Sequence, residues 1–194
     1  MKNDFVESYW PATHELGLHD TSCGGILRDA AARRPDAIVL VDASEPPAAR
    51  RRWTYAALLA DSERAARALL QHFEPGMHVA VWASNSPEWI ITQFGLALAG
   101  LVMVTVNPAY RTSELTYVLR QSHARGIVHE LEYRGVDMPA AIAQARGEDG
   151  VEIDKSIALS EFDKFLESGD PDIPLPDRSE ERRVGKECRS RWSA

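Results

Sequence analysis

The chain has 194 residues, of which 44% are hydrophobic and 26% charged, a composition that suits one well-buried globular domain and excludes disorder across most of its length. A formal net charge of -7 opposes general affinity for nucleic acid or anionic lipid, since both select a positive surface. Cys23 and Cys188 stand far apart and are the only cysteines, so no disulfide framework is readable and a reducing, cytoplasmic setting is expected. Residues 1–10 mix Lys2, Asp4 and Glu7 with aromatics and lack the apolar core of a secretory signal.

Residues 1–23 read as an irregular leader. Ser22 can cap a helix over about 24–34 that Pro35 stops, with Ile26, Leu27, Ala30 and Ala31 on one small apolar face. Residues 37–42 read as a strand, 44–52 as a polar loop marked by Pro46 and Pro47, and Arg52-Trp53-Thr54 as a pairing partner for the strand. The strongest periodicity follows. Tyr55, Leu58, Leu59, Ser62, Ala65, Ala66, Leu69, Leu70 and Phe73 recur at helical spacing after a Thr54 cap, and Pro75-Gly76 closes the segment. The opposite, Arg- and Glu-bearing face is expected to be wet.

Residues 78–83 form the next expected strand. Ser86-Pro87-Glu88 then carries the three marks of a helix start: a capping hydroxyl, a first-turn proline and a carboxylate near the positive helix end. That helix should stop at Gly100 and feed a strand over 101–106, expected to be buried on both faces because it lacks polar alternation. Residues 89–110 carry no charge and are long enough to cross a bilayer. Gln93, Gly100 and the switch to β-branched residues after it argue instead for a buried helix leading into a buried strand, so no transmembrane span is expected. Thr112 or Ser113 opens another helix ending near Gly126, and residues 127–129 make a third strand. Strands alternating with helices at this spacing imply an α/β fold with a parallel sheet of strand-helix-strand units. Further helices are expected at 138–146 and 160–166, before a proline-marked polar stretch over 168–177.

The motifs have modest reach by themselves. Asn85-Ser86-Pro87-Glu88-Trp89 lies where a strand gives way to a helix, the place where parallel sheets bind ligands, yet helix capping accounts for Ser86 and Glu88 and is the favoured reading. Asn107-Pro108-Ala109-Tyr110-Arg111 could set Tyr110 or Arg111 over a cleft, though a strand-ending turn explains Asn-Pro and is preferred. Gly24-Gly25 follows the leader instead of a strand, and neither the dinucleotide fingerprint nor the Walker phosphate loop occurs. The six histidines show no metal spacing. His14 and His19 beside Cys23 supply three potential ligands, one short of the usual closed zinc site. No Gly-x-Ser-x-Gly turn is present.

In order along the chain, Gly25-Ile-Leu-Arg-Asp-Ala-Ala-Ala-Arg-Arg-Pro-Asp36, Trp53-Thr-Tyr55 with Leu58, Asn85-Ser-Pro-Glu-Trp89, Leu98-Ala-Gly100 and Val106-Asn-Pro-Ala-Tyr-Arg111 resemble the N-terminal part of the AMP-forming acyl-CoA synthetases. Glu114-Leu-Thr-Tyr-Val-Leu-Arg-Gln-Ser122 and Glu132-Tyr-Arg-Gly135 continue the likeness, which runs over about 24–177. The resemblance implies a truncated N-terminal subdomain of an adenylate-forming enzyme. Its parent would use ATP, magnesium and coenzyme A to activate a fatty or related carboxylic acid. The family's phosphate loop, acidic metal ligand and catalytic lysine lie beyond the matched part, so the resemblance assigns no catalytic, cofactor-binding or metal-binding residue here, and the fragment alone is expected to be inactive.

Ala57 stands where the family commonly has Glu, and Leu175-Pro-Asp177 resembles the approach to the family's phosphate loop, which Arg178 onward does not continue. That last stretch is basic, with Arg182, Arg183, Lys186, Arg189 and Arg191, and reads as a disordered, non-native tail. Its Glu180, Glu181 and Glu187 and its single aromatic, Trp192, turn the expectation away from a nucleic-acid partner. The alternative to a synthetase fragment is a complete small α/β binding or interaction module.

Overall fold

A computed structural model describes residues 21–176. Most of the expected leader, including His14 and His19, and the basic stretch from 178 onward lie outside the described residues.

The first helix, α1 (Cys23–Arg33), starts where the Ser22 hydroxyl accepts a hydrogen bond from the Gly25 N–H at 3.0 Å. It lies close against a later helix, because a Cβ on Gly24 would stand 2.9 Å from Cδ2 of Leu98. Strands β1 (Ile38–Val41) and β2 (Arg52–Thr54) pair antiparallel as the sequence implies, with a bulge between Ile38 and Leu40. Helix α2 (Tyr55–Leu70) follows at once, its Ala57 N–H bonded to the Thr54 hydroxyl. Leu58, Ser62, Ala65, Ala66 and Leu69 are buried on the expected face. The opposite face is not wholly wet. Ala68 is buried too, because the chain at Gly169 runs across it so closely that a Cβ there would meet the Arg64 carbonyl at 2.9 Å.

The centre is a parallel sheet. Strands β3 (His78–Trp82), β4 (Val102–Val106), β5 (Gly126–His129) and β8 (Lys155–Ala158) stand in the order β4-β3-β5-β8, all parallel. Helix α3 (Pro87–Leu98) joins β3 to β4, and α4 (Thr112–Ser122) joins β4 to β5. The left-handed His123 (φ 52°) ends α4. Along β3 the side chains alternate, Ala80 and Trp82 entering a core with Leu115, Leu119 and Ile142, and Val79 and Val81 entering one with Leu69, Leu96 and Ile157. The sheet is thus covered on both faces.

Two findings depart from the sequence reading. Among the described residues strand β4 is an edge of the sheet, with Val102 43% exposed, and is not buried on both faces. A continuous β-branched run describes a strand's side chains and says nothing of how many neighbours it has. The second departure is two missed elements. A hairpin of β6 (Glu132–Tyr133) and β7 (Val136–Asp137) turns through Arg134 and Gly135, both at positive φ as a primed two-residue turn requires, and β8 completes the sheet. These strands span only two to four residues, too short for a periodic signal. Helix α5 (Met138–Arg146) occupies the expected residues, and the helix expected at 160–166 is a short 3-10 turn leading into α6 (Phe162–Glu167). No described helix is long and apolar enough to cross a membrane.

Candidate functional site

Because the four strands are parallel, their carboxyl ends gather at one edge of the sheet, and the loops leaving them meet there. Trp82 ends β3 fully buried, and its indole N–H donates to the Asn107 carbonyl at 3.0 Å. Asn107 in turn accepts from the Ala109 N–H through its own side chain at 2.9 Å and from the Tyr110 N–H through its backbone at 3.0 Å. Residues 107–110 are therefore a side-chain-mimicked turn, as the preferred reading had it. Arg111 is exposed, and its N–H donates to a Glu114 carboxylate oxygen at 2.8 Å. Tyr110 does border a hollow, a shallow surface groove of about 310 Å³ shared with Ser113, Glu114, Tyr117 and Val118.

Polar groups from β3, β5 and β8 converge more tightly. The Glu130 carboxylate accepts both from the Ser84 N–H at 3.2 Å and from the Ser84 hydroxyl, tying the loop after β3 to the end of β5. His129, 4% exposed, places Nδ1 2.6 Å from the Glu130 carbonyl and Nε2 2.8 Å from the Ser156 hydroxyl. A carbonyl can only accept, so Nδ1 carries the ring proton and Nε2 takes the Ser156 O–H. Burial pushes the imidazole pKa below its ordinary value, against the opposing pull of the Glu130 carbonyl. His129 is thereby held as one neutral tautomer that fastens β5 to β8.

At the start of α3 the Ser86 hydroxyl accepts from the Trp89 N–H at 3.2 Å, which is the capping role. Glu88 does more than complement the helix dipole. It pairs at 2.8 Å with Arg51, whose guanidinium also bonds Asp42 at 2.9 and 3.2 Å and lies 5.2 Å over the Trp53 ring. The Asp42 carboxyl is lowered to about 2, first by the Ser44 hydroxyl and N–H, then by Arg51. Through Asp42, Arg51 and Glu88 the β1-β2 ribbon is clamped onto the carboxyl edge of the sheet.

Sequence reading singled out residues 85–89 and 107–111 and missed Asp42, Ser44, Arg51, Ser84, Glu130 and Ser156. Position just after a strand marks Ser84 and Glu130, but nothing local marks Arg51, whose partner is 37 residues away in the chain. At the α3 N-terminus the Glu88 carboxylate is paired with Arg51, and among the described residues no group of three or more His, Cys, Asp or Glu side chains could hold a metal ion.

A parallel sheet covered by helices on both faces, with polar loops collected at its carboxyl edge, defines the class as an open α/β domain. Residues 27–189 match the family of the AMP-binding enzymes, and the chain belongs to it. It is 38% identical to YngI of Bacillus subtilis over 123 residues, which are 63% of this chain and 22% of that protein. To the mitochondrial medium-chain acyl-CoA ligase ACSF2 of Mus musculus it is 35% identical over 128 residues, 66% of this chain and 20% of the relative. In fold it is similar to the N-terminal domain of FACL13 from Mycobacterium tuberculosis, with a TM-score of 0.69 at 23% identity over 81% of this chain and 39% of that one. The chain thus spans about a fifth of the length of the curated relatives it matches. The family and the α/β fold class expected from the sequence are those found.

Proposed function

We propose that these residues are the N-terminal part of an ATP-dependent acyl-CoA synthetase acting on a fatty or related carboxylic acid. In the whole enzyme the carboxylate displaces pyrophosphate from ATP to give an acyl-adenylate, and coenzyme A then displaces AMP to give the thioester. The observation that carries the reading is the family match over residues 27–189, supported by relatives that include a medium-chain acyl-CoA ligase. ATP, magnesium and coenzyme A are the cofactors this activity requires, and the cytoplasm is its proposed location.

Within that enzyme we assign the described residues to scaffold. The Asp42, Arg51 and Glu88 clamp and the His129, Ser156, Glu130 and Ser84 bonds fix the loops at the carboxyl edge of the sheet, and the phosphate and metal ligands come from elsewhere in the polypeptide. The 194-residue chain alone is accordingly proposed to be inactive. Pyrophosphate exchange tests this directly: labelled pyrophosphate should not enter ATP when the chain is incubated with ATP, magnesium and medium- or long-chain fatty acids. Exchange above the no-enzyme background would overturn the inactivity. The family activity itself is tested by extending the reading frame in the source gene and assaying the longer product; a product that forms no acyl-CoA from any fatty acid would refute it and favour a stand-alone binding module.

A further inference from the structure

We infer that Asp149-Gly150 is a self-modifying site, where the backbone converts Asp149 to isoaspartate through a cyclic succinimide and the Arg120 guanidinium promotes the change. The pair is the single Asp-Gly of the sequence, and no Asn-Gly occurs. It lies in the turn between α5 and β8, where Gly150 takes φ +76°, a conformation that glycine adopts without strain. The turn's need for glycine thus sets an amide unshielded by any side chain directly after a carboxyl group. Both residues are exposed, and the Gly150 N–H makes no hydrogen bond among the described residues. Its nitrogen has no bond to break before it turns on the carboxyl carbon.

The reaction is internal to two adjacent residues and needs only water. The Gly150 nitrogen bonds to Cγ of Asp149, the Cγ–OH bond breaks, and the hydroxyl leaves with the amide proton as water. A water molecule then adds to one of the two ring carbonyls. Attack at Cγ restores aspartate. Attack at the former main-chain carbonyl carbon breaks its bond to the Gly150 nitrogen, so the chain runs on through Cβ and Cγ and a new α-carboxylate is left. Arg120 is placed on the carbonyl that decides between them. Its Nε donates to the Asp149 backbone oxygen at 2.7 Å, and its stem lies along Gly150, where a Cβ would meet Cγ of Arg120 at 3.2 Å. When the Gly150 nitrogen gives up its proton, the negative charge is shared with that oxygen, and when water attacks the same carbon the charge gathers there again. A cationic donor already aimed at the oxygen stabilises both. The new α-carboxylate keeps that oxygen, so a neutral acceptor becomes an ion-pair partner of Arg120.

The test incubates the 194-residue chain at neutral pH and physiological temperature in water labelled with heavy oxygen. The tryptic peptide 147–155 is then read by mass spectrometry with electron-transfer fragmentation, which separates aspartate from isoaspartate. Asp149 should gain one heavy oxygen and accumulate isoaspartate, while Asp154 of the same peptide should do neither. Arg120→Gln, with an unchanged circular dichroism spectrum, should slow the conversion by roughly 2- to 5-fold, the size of an exposed charge contact, and shift the products toward aspartate. In concentrated urea the parent and Arg120→Gln should convert at one rate, because the contact exists only in the folded chain. No conversion at Asp149 of the folded parent, an equal or faster rate in folded Arg120→Gln, or a rate difference that persists in urea would each overturn the proposal.

Discussion

Replacing Gly95 by Ala sets two effects of known size against each other. Gly95 lies in the interior of α3 where α2 crosses it, and a Cβ there would stand 2.8 Å from the Ala65 Cβ, 3.3 Å from the Ser62 carbonyl oxygen and 3.4 Å from the Ala66 nitrogen. Helix propensity favours the change, since Ala in place of Gly in a helix interior gains about 0.5–1 kcal/mol. Packing opposes it. Non-bonded carbons prefer about 3.5–4.0 Å, and the nearest atoms are a Cβ and backbone, so no flexible side chain can swing away and the two helices must part. Overpacking of this kind costs about 1–3 kcal/mol. The packing effect wins, leaving Gly95→Ala destabilised by about 1–2 kcal/mol, or roughly 2–8 °C in melting temperature for a chain of this size. Urea unfolding followed by circular dichroism, at a concentration where the chain is monomeric, measures it. The mechanism is checked by Ala65→Gly, which removes the closest contact. The double variant should be more stable than the sum of the singles predicts, by about 1 kcal/mol. A Gly95→Ala chain with a raised urea midpoint, or strict additivity in the cycle, would refute the reasoning.

The Asp42 cluster predicts acid behaviour. Its carboxyl should titrate at about 2 by NMR, and both Ser44→Ala and Arg51→Gln should raise that midpoint. Because the folded pKa is depressed, the cluster stabilises the fold above the unfolded carboxylate value of about 3.9 and the benefit is lost as pH falls through the folded value. In Asp42→Asn the urea midpoint should vary less over that acid range, and an unchanged pH profile would contradict the assignment. His129 gives a second pH-dependent effect. Its folded pKa is also lowered, so its neutral form stabilises the fold above about 6.5 and that contribution declines as the medium is acidified below it. His129→Gln should flatten this part of the profile. Ser156→Ala leaves a buried ring nitrogen without its donor and should cost about 1–3 kcal/mol; a loss smaller than a few tenths would show that the bond fastens nothing.

Helix starts were legible because capping is local. Ser22, Thr54 and Ser86 lie within three residues of the N–H groups they accept from, so the pattern is written in neighbouring letters. The carboxyl edge was only partly legible. Residues 85–89 and 107–111 announced themselves as breaks between periodic segments, but their partners did not: Glu130 reaches Ser84 across 46 positions, and Ser156 reaches His129 across 27. Contacts of that separation arise only when β3, β5 and β8 lie side by side.

The chain by itself determined its family, the alternation of helices and strands and the apolar stripe of α2, all of which rest on residue identity and short-range spacing. Tertiary structure alone decided that β4 is an edge among the described residues, that the second face of α2 is covered at Gly169, and that Arg51 bridges Asp42 and Glu88. The physical reason is common to the three. Each depends on which distant segment lies alongside, and a strand or a charged side chain is spelled the same way whether or not a neighbour arrives.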